Sequence, residues 1–219
     1  MRNLKETNAW VSVYEFLKDK IIKGTYSPGE RLNEREIANL VNVSRTPARE
    51  ALRVLEYEGF VSNITKRGAV VKKYSPEELN VIHKMLIRLE SLAVGMAGPK
   101  LSENDLTHLQ EMNSRFRSLA SERKYSDFLA LNIEFHLFFP RITESRELLE
   151  TISQLRKRIF RFTHAHIILA DSPEQFVKDH QEIVDALRGK TNKKPAKLME
   201  AHIERSRKAL FDVYRKFGV

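Results

Sequence analysis

The sequence predicts a mainly α-helical protein with one short β-hairpin in its N-terminal third, and three observations lead to that prediction. Apolar residues recur at the three- and four-residue spacing of amphipathic helices along most of the 219 residues. Short β-branched runs occur between 60 and 73. Residues 74–78, Tyr-Ser-Pro-Glu-Glu, combine an N-cap serine, a proline at the first helical position and a glutamate at the third. This strong helix start divides the chain into domains at 1–74 and 75–219.

The first helix is predicted over residues 8–23 and ends at Gly24. Its aromatic and apolar residues share one stripe, while its lysines lie elsewhere. The members of that stripe are Trp10, Tyr14, Leu17 and Ile21. A turn containing the pair Pro28-Gly29 follows.

Two short helices joined by a tight turn are predicted between Leu32 and Gly59. Asn33 and Glu36 have the spacing of a capping box ahead of the apolar pair Ile37 and Leu40, which starts the first of them. The second begins at the N-cap Ser44 and runs to Glu58. Its apolar face holds Ala48, Ala51, Leu52 and Leu55, and another face holds Arg45, Arg49 and Arg53. The apolar face is therefore free to pack and the basic face to bind.

A β-hairpin is predicted next, with strands at 60–65 and 69–73 around a Lys66-Arg67-Gly68 turn. A hairpin behind a helix-turn-helix is a wing, and its basic tip suits contact with phosphate. Residues 1–74 are thus predicted to form a winged helix-turn-helix of three helices plus a β-hairpin, which can place its second short helix in the major groove of DNA. The alternative is an ordinary helical hairpin with a solvated basic face.

Residues 75–219 show amphipathic helical patterns and no strand pattern. Short connections between these helices predict an all-α antiparallel bundle. Pro140 is expected to kink or end the third of them, and Ser172 and Gly189 mark a start and a stop. The predicted spans are 75–97, 102–120, 126–141, 145–168, 172–188 and 195–217.

Composition narrows the function. A net charge of +9 favours a polyanionic partner. The absence of cysteine excludes disulfides, thiolate nucleophiles and thiolate metal ligands, so any metal must rest on histidine and oxygen. The sequence contains neither an apolar run of 18 residues nor a signal-peptide pattern at its start, from which we expect a cytoplasmic protein without a membrane partner.

Three histidines form a candidate metal site: His136, His180 and His202 lie on three different predicted helices among apolar neighbours. Asn132 lies four residues before His136, hence on the same helix face, and offers an oxygen. Three imidazoles and an oxygen suit zinc, nickel or another divalent first-row ion. Taken singly, each histidine is more commonly a satisfied core or surface residue than a metal ligand. Carboxylate-binding candidates in the bundle are Arg88, Arg158 and Arg161.

The run PGERLNEREIANLVNVSRTPAREALRVLEYEGFV, followed by KRGAVV, resembles the winged-helix domain of the GntR family of bacterial transcription regulators over residues 10–73. The resemblance implies that the helix before the recognition helix, the recognition helix and the wing tip all contribute DNA contacts. Including the N-cap of the recognition helix and the wing lysine, the expected DNA-binding residues are Arg35, Ser44, Arg45, Thr46, Arg49, Lys66, Arg67 and Gly68.

Residues 76–219 are similar to the FCD effector domain of the FadR-type subfamily, an all-α bundle. Many members carry a metal on an Asp-x3-His helix and on two later histidines. The corresponding positions here are Asn132, His136, His180 and His202, so the first ligand is an amide instead of a carboxylate. The resemblance also implies a small carboxylate effector, such as an organic acid or a sugar acid. A neutral amide should weaken the hold on the metal and leave more positive charge for an anion.

Together these features predict a ligand-responsive homodimeric regulator that binds a palindromic double-stranded operator. Repression relieved by the ligand is the commoner logic in such proteins. One alternative is a dimeric DNA-binding regulator whose metal site is structural or degenerate and which has no metal-dependent effector. Another is a zinc enzyme, but the helix around His136 lacks the HExxH spacing and no general base is marked out nearby.

Overall fold

The computed structural model describes residues 4–22, 25–65, 68–169 and 173–217. The chain divides into two compact units, residues 1–75 and 76–219. None of the helices in the described ranges is long and apolar enough to cross a membrane.

The N-terminal unit has the arrangement of a winged helix-turn-helix, as predicted. Its sheet is antiparallel with the order β1-β3-β2, in which Leu32 pairs with Ala69 and Ser62 with Val70. The sequence prediction missed β1, because a two-residue strand is too short to show alternation. The elements are α1 (Leu4–Ile22), β1 (Arg31–Leu32), α2 (Glu34–Leu40), α3 (Arg45–Tyr57), β2 (Val61–Thr65) and β3 (Gly68–Val71).

Helix α1 packs against α3 in the core of this unit. Leu17 and Ile21 of α1 are fully buried, and so is the predicted apolar face of α3. The helical spacing read from the sequence therefore identified the inward faces of both helices. The end of α1 predicted at Gly24 lies outside the described residues.

Helix α2 begins where predicted but is rotated relative to the prediction. The Asn33 side chain caps it by accepting a hydrogen bond from the backbone N–H of Arg35 at 2.9 Å, not from that of Glu36. Glu34 and Ile37 face inward with Ala38, whereas Leu40 is 64% exposed. The buried face of this short helix therefore includes the carboxylate of Glu34 in place of the predicted Leu40.

Gly68 begins β3 in a conformation that favours glycine, with φ of 121°. A Cβ added there would lie 1.8 Å from the carbonyl oxygen of Leu32. The close approach of β3 to β1 therefore requires glycine at this position.

Helices and the turns that join them make up the described residues of the C-terminal unit, which confirms the predicted fold class. Every helix begins and ends within one residue of the predicted span. Pro140 lies inside α6, two residues before its end, and the predicted N-cap Ser172 lies outside the described residues. The helices are α4 (Pro76–Ala97), α5 (Glu103–Ser121), α6 (Tyr125–Ile142), α7 (Arg146–Leu169), α8 (Pro173–Leu187) and α9 (Pro195–Phe217), with a 3₁₀ turn at Gly98–Lys100.

The core of this unit is rich in phenylalanine. Helix α6 packs against α4, α5 and α7, while α8 packs against α5 and α9. Phe116 of α5 contacts the rings of both Phe128 and Phe135 of α6, and all three side chains are fully buried. This packing brings the inward faces of α6, α8 and α9 together.

Candidate metal centre and DNA-binding face

The three predicted histidines converge in the core of the bundle. His136 comes from α6, His180 from α8 and His202 from α9, and each is at most 2% exposed. The Nε2 atom of His202 lies 3.2 Å from Nε2 of His180 and 3.3 Å from Nε2 of His136. Ring nitrogens of all three lie within 4.8 Å of one another. Residues 66 positions apart in sequence thus present their nitrogens to a single point.

A buried ion pair orients His136. Its Nδ1 donates to Oε2 of Glu90, on α4, at 2.6 Å. The same carboxylate accepts two hydrogen bonds from Arg156 of α7, from Nε and Nη2, each at 2.6 Å. Glu90 is 1% exposed and Arg156 is 7% exposed. Burial raises the pKa of Glu90, and the guanidinium of Arg156 opposes that rise.

A second carboxylate orients His202 in the same way. The Nδ1 of His202 donates to Oδ2 of Asp179 at 3.0 Å, and Arg205 donates to both oxygens of that carboxylate, at 2.9 and 2.6 Å. Burial alone would raise the pKa of Asp179, but hydrogen bonds from His202 and Arg205 outweigh it and hold this pKa well below the usual value. The partner of a metal-binding histidine is commonly such a carboxylate.

His180 is positioned by aromatic packing instead. Its ring stacks on Phe135 with centroids 4.0 Å apart and an interplanar angle of 23°, and it lies 4.8 Å from the ring of Phe116. Its Nδ1 is buried and has no hydrogen-bond partner among the described residues. Packing against phenylalanine rings therefore orients His180, whereas hydrogen bonds to buried carboxylates orient His136 and His202.

The hydrogen bonds at Nδ1 fix which nitrogens can bind a cation. A carboxylate oxygen accepts, so Nδ1 of His136 and of His202 each carry the proton. Burial lowers the pKa of all three imidazoles, which keeps them neutral. The Nε2 atoms of His136 and His202 then face each other with lone pairs at 3.3 Å. Two lone pairs cannot form a hydrogen bond, but both can bind one metal ion.

The residues present fit a divalent metal. Nitrogens bonded at about 2.0–2.1 Å to a tetrahedral zinc ion lie about 3.3–3.4 Å apart, close to the two separations found here. Asn132, 2% exposed on α6, has a side-chain oxygen that is buried without a hydrogen-bond partner among the described residues. An unsatisfied buried oxygen is costly unless something binds it. The histidine cluster could hold a metal, and Asn132 offers it a fourth donor.

The predicted carboxylate-binding arginines lie elsewhere or are not described. Arg88 has a side chain 77% exposed and donates to Glu200 at 3.0 Å in a surface groove of about 680 Å³, outside the histidine cluster. Arg158 is half-buried, and the side chain of Arg161 lies outside the described residues. Two other arginines support the histidine cluster, Arg156 through Glu90 and Arg205 through Asp179, and neither was predicted from the sequence.

Sequence reasoning also missed Glu90 and Asp179. A usable signal existed for Glu90, because it occurs on the buried stripe of α4 between Leu86 and Val94, where a charge needs a partner. Asp179 adjoins His180 in sequence but serves His202, a relation that sequence spacing does not reveal.

A small cavity of about 60 Å³ adjoins His202. It is lined by Asp179 and Arg205 and by residues of the facing turns of α8 and α9. The Arg205 side chain is 45% exposed, whereas the Asp179 side chain that it binds is only 4% exposed, so this ion pair extends from the surface to the buried side of His202.

Five of the eight expected DNA-binding residues lie on the surface of the winged-helix unit. Arg35 of α2 and the first turn of α3, with Ser44, Arg45 and Thr46, are exposed. Arg49 is exposed too, but its guanidinium is bound to the buried carboxylate of Glu34. Lys66 and Arg67 lie outside the described residues, and Gly68 is buried at the start of β3. The structure thus provides a packing reason for Gly68.

Each of the two units matches a known protein family. Residues 11–71 match the family of bacterial regulatory proteins termed gntR, and residues 81–205 match the FCD domain. The chain is 30% identical over 199 residues to the HTH-type transcriptional regulator YdhC of Bacillus subtilis, a match covering 88% of this chain and 86% of YdhC. It is 28% identical to the Uxu operon regulator of Haemophilus influenzae, covering 93% and 82% of the two chains.

Two further proteins are similar. The transcriptional repressor RspR of Escherichia coli is 26% identical, with 88% of this chain and 84% of RspR covered. The structure of E. coli McbR/YncC shares the fold with a TM-score of 0.78 and 23% identity, covering 94% of this chain and 98% of McbR. YdhC, the Uxu operon regulator and RspR are all named as regulators of transcription, and regulators of this family are not enzymes. The chain is a DNA-binding transcription regulator of the GntR family, with an FCD domain C-terminal to its winged helix in sequence.

Proposed function

We propose that this protein is a metal-dependent sensor of a small carboxylate and acts as a repressor. The observation that carries the proposal is the convergence of three buried imidazole nitrogens, 3.2 and 3.3 Å apart, beside the unpartnered oxygen of Asn132. In this proposal the metal is held by Asn132, His136, His180 and His202. Zinc or nickel suits this mixture of imidazole and oxygen donors. The metal supplies positive charge that holds the oxygens of an organic or sugar acid.

Metal analysis of the purified protein tests this proposal. Near-stoichiometric zinc or nickel is expected in the wild type and should be lost in His180→Ala. The matched control is His108→Ala on α5, a histidine outside the cluster, which should retain the metal. Wild-type protein that folds but takes up no divalent metal would instead favour the alternative, a regulator with a degenerate site and no metal-dependent effector.

The effector is sought by thermal shift with small carboxylates, in the presence and absence of metal. A ligand at one hundred times its dissociation constant stabilises the folded state by about 2.7 kcal/mol. The same acid should release the protein from DNA if it relieves repression. Stabilisation that is equal in metal-free protein would place the acid away from the histidine cluster.

The proposed DNA-binding residues are Arg35, Ser44, Arg45, Thr46 and Arg49, with Lys66, Arg67 and Gly68 of the wing. Arg45→Ala should cost about 1–3 kcal/mol on operator DNA and relax sequence preference. Lys66→Ala should weaken binding to operator and random DNA alike. If both substitutions acted equally on the two kinds of DNA, α3 would not be the element that reads sequence.

We further propose that a second copy of this chain packs on α4, as required for a palindromic operator. Four apolar side chains share one exposed face of that helix and are between 42% and 55% exposed. They are Val81, Met85, Leu92 and Met96. Leu92→Glu should yield a monomer in sedimentation equilibrium, whereas an unchanged dimer would place the interface elsewhere.

A further inference from the structure

Glu34, the first residue of α2, is a carboxylate buried to 3% exposure. Its two oxygens accept hydrogen bonds from Nε and Nη2 of Arg49, both at 2.9 Å. Arg49 lies on the basic face of α3, one turn after Arg45, and its side chain is 45% exposed. One end of the pair is therefore in the protein interior and the other faces the surface expected to meet DNA.

The geometry restricts how the Arg49 guanidinium can be oriented. Two of its five N–H donors are used by the carboxylate, and the planar fork fixes the direction of the others. A lysine could keep the charge at this position but could not reproduce the two parallel bonds. Arg49 is thus preorganised before any ligand arrives, and an ordered side chain loses less entropy on binding.

We infer that Glu34 is a positioning residue for DNA binding, holding Arg49 in the orientation in which it contacts DNA. The inference rests on DNA binding by the winged helix and is independent of the proposed metal and effector. It makes a prediction opposite in sign to simple electrostatics. Removing a carboxylate near a polyanion should strengthen binding, whereas losing the orientation of Arg49 should weaken it.

The test compares full-length variants on two DNA duplexes, one of random sequence and one selected from a random library by the wild type. Glu34→Gln should weaken binding, by about fivefold at 0.15 M salt if one phosphate contact is lost. The control Glu36→Gln changes an exposed carboxylate on the same helix and should leave binding equal or tighter. Weakening on both duplexes would indicate a phosphate contact, and weakening on the selected duplex alone a base contact.

A double-mutant comparison shows whether Glu34 acts through Arg49. Once Arg49→Gln has removed the contact, adding Glu34→Gln should produce no further loss. Thermal unfolding of each variant confirms that folded protein is compared. If Glu34→Gln does not fold, Arg49→Lys provides the measurement, since it retains the charge and loses the fork. Binding by Glu34→Gln that is as tight as that of Glu36→Gln, or wild-type binding by Arg49→Lys, would overturn the inference.

Discussion

Glu90 joins bundle stability to the proposed metal site, and Glu90→Gln separates the two effects. The wild-type carboxylate accepts two bonds from Arg156 and one from His136, all at 2.6 Å. Glutamine leaves the guanidinium of Arg156 buried without a counter-charge. Breaking a buried ion pair in this way costs about 3–5 kcal/mol.

The lost free energy of unfolding corresponds to a measurable fall in melting temperature. For a domain of about 150 residues, 1 kcal/mol shifts the melting temperature by about 2–4 °C, so Glu90→Gln should lower it by about 6–20 °C. Differential scanning calorimetry of metal-free protein measures this shift. The control is Glu200→Gln, which removes a carboxylate paired with the exposed side chains of Arg88 and Lys197 and should cost less than about 1 kcal/mol.

Metal affinity provides the second measurement, because loss of the partner that orients a metal-binding histidine typically weakens binding about 10–100-fold. The double variant Glu90→Gln/Arg156→Met removes the unpaired charge and should recover most of the stability while metal affinity stays low. Equal melting temperatures for Glu90→Gln and Glu200→Gln would show that the buried ion pair does not stabilise the bundle. A double variant that regained both its stability and wild-type metal affinity would show that Glu90 does not support metal binding.

Three further predictions concern single positions. Asn132→Asp should slow metal loss to a chelator, since it replaces a neutral donor with a charged one; unchanged or faster loss would place that side chain outside the site. Gly68→Ala should destabilise the winged helix by more than Gly29→Ala, because both have positive φ but a Cβ at 68 meets Leu32 while one at 29 has open space; equal unfolding free energies would contradict this. Burial lowers the pKa of His83 to about 4, so at this position the unfolded chain binds more protons between pH 6.5 and 4. His83 should therefore contribute about 3 kcal/mol to the stability lost as pH falls through that range, and the loss measured for His83→Leu should be smaller than that of the wild type by this amount.

Helical periodicity located the bundle helices to within one residue because each buries one face against its neighbours. The same signal failed at α2, where the seven-residue helix points Leu40 outward and Glu34 inward. Seven residues make two turns, too few for the pattern to distinguish neighbouring orientations. Glu34 can be buried because Arg49 donates two hydrogen bonds to it. Arg49 lies fifteen residues later on another helix, so helical periodicity does not reveal this pairing.

In the candidate site, the sequence predicted the histidines but not the carboxylates that orient them. Chemistry and resemblance selected His136, His180 and His202, because imidazole is a recognisable ligand. The groups that orient them come from positions with no fixed spacing to the histidines: Glu90 from α4, and Asp179 from the turn that carries His180. Predicting these partners requires knowing which helices are neighbours. Arg88 shows the converse, since an arginine of suitable type proved to lie on the exposed side of α4.

The charges around the proposed metal site explain why asparagine at position 132 should have a different effect from aspartate. Glu90 and Asp179 each bind their own arginine, so neither carboxylate is left to neutralise a metal. In the proposed site a divalent ion held by three neutral imidazoles and an amide retains its full charge of about +2 within a buried core, where an anion is attracted strongly. Aspartate at 132 would remove one unit of that charge. Asn132→Asp should therefore tighten the metal and weaken the carboxylate together, and a variant that tightened both would show that the effector does not bind through the metal's charge.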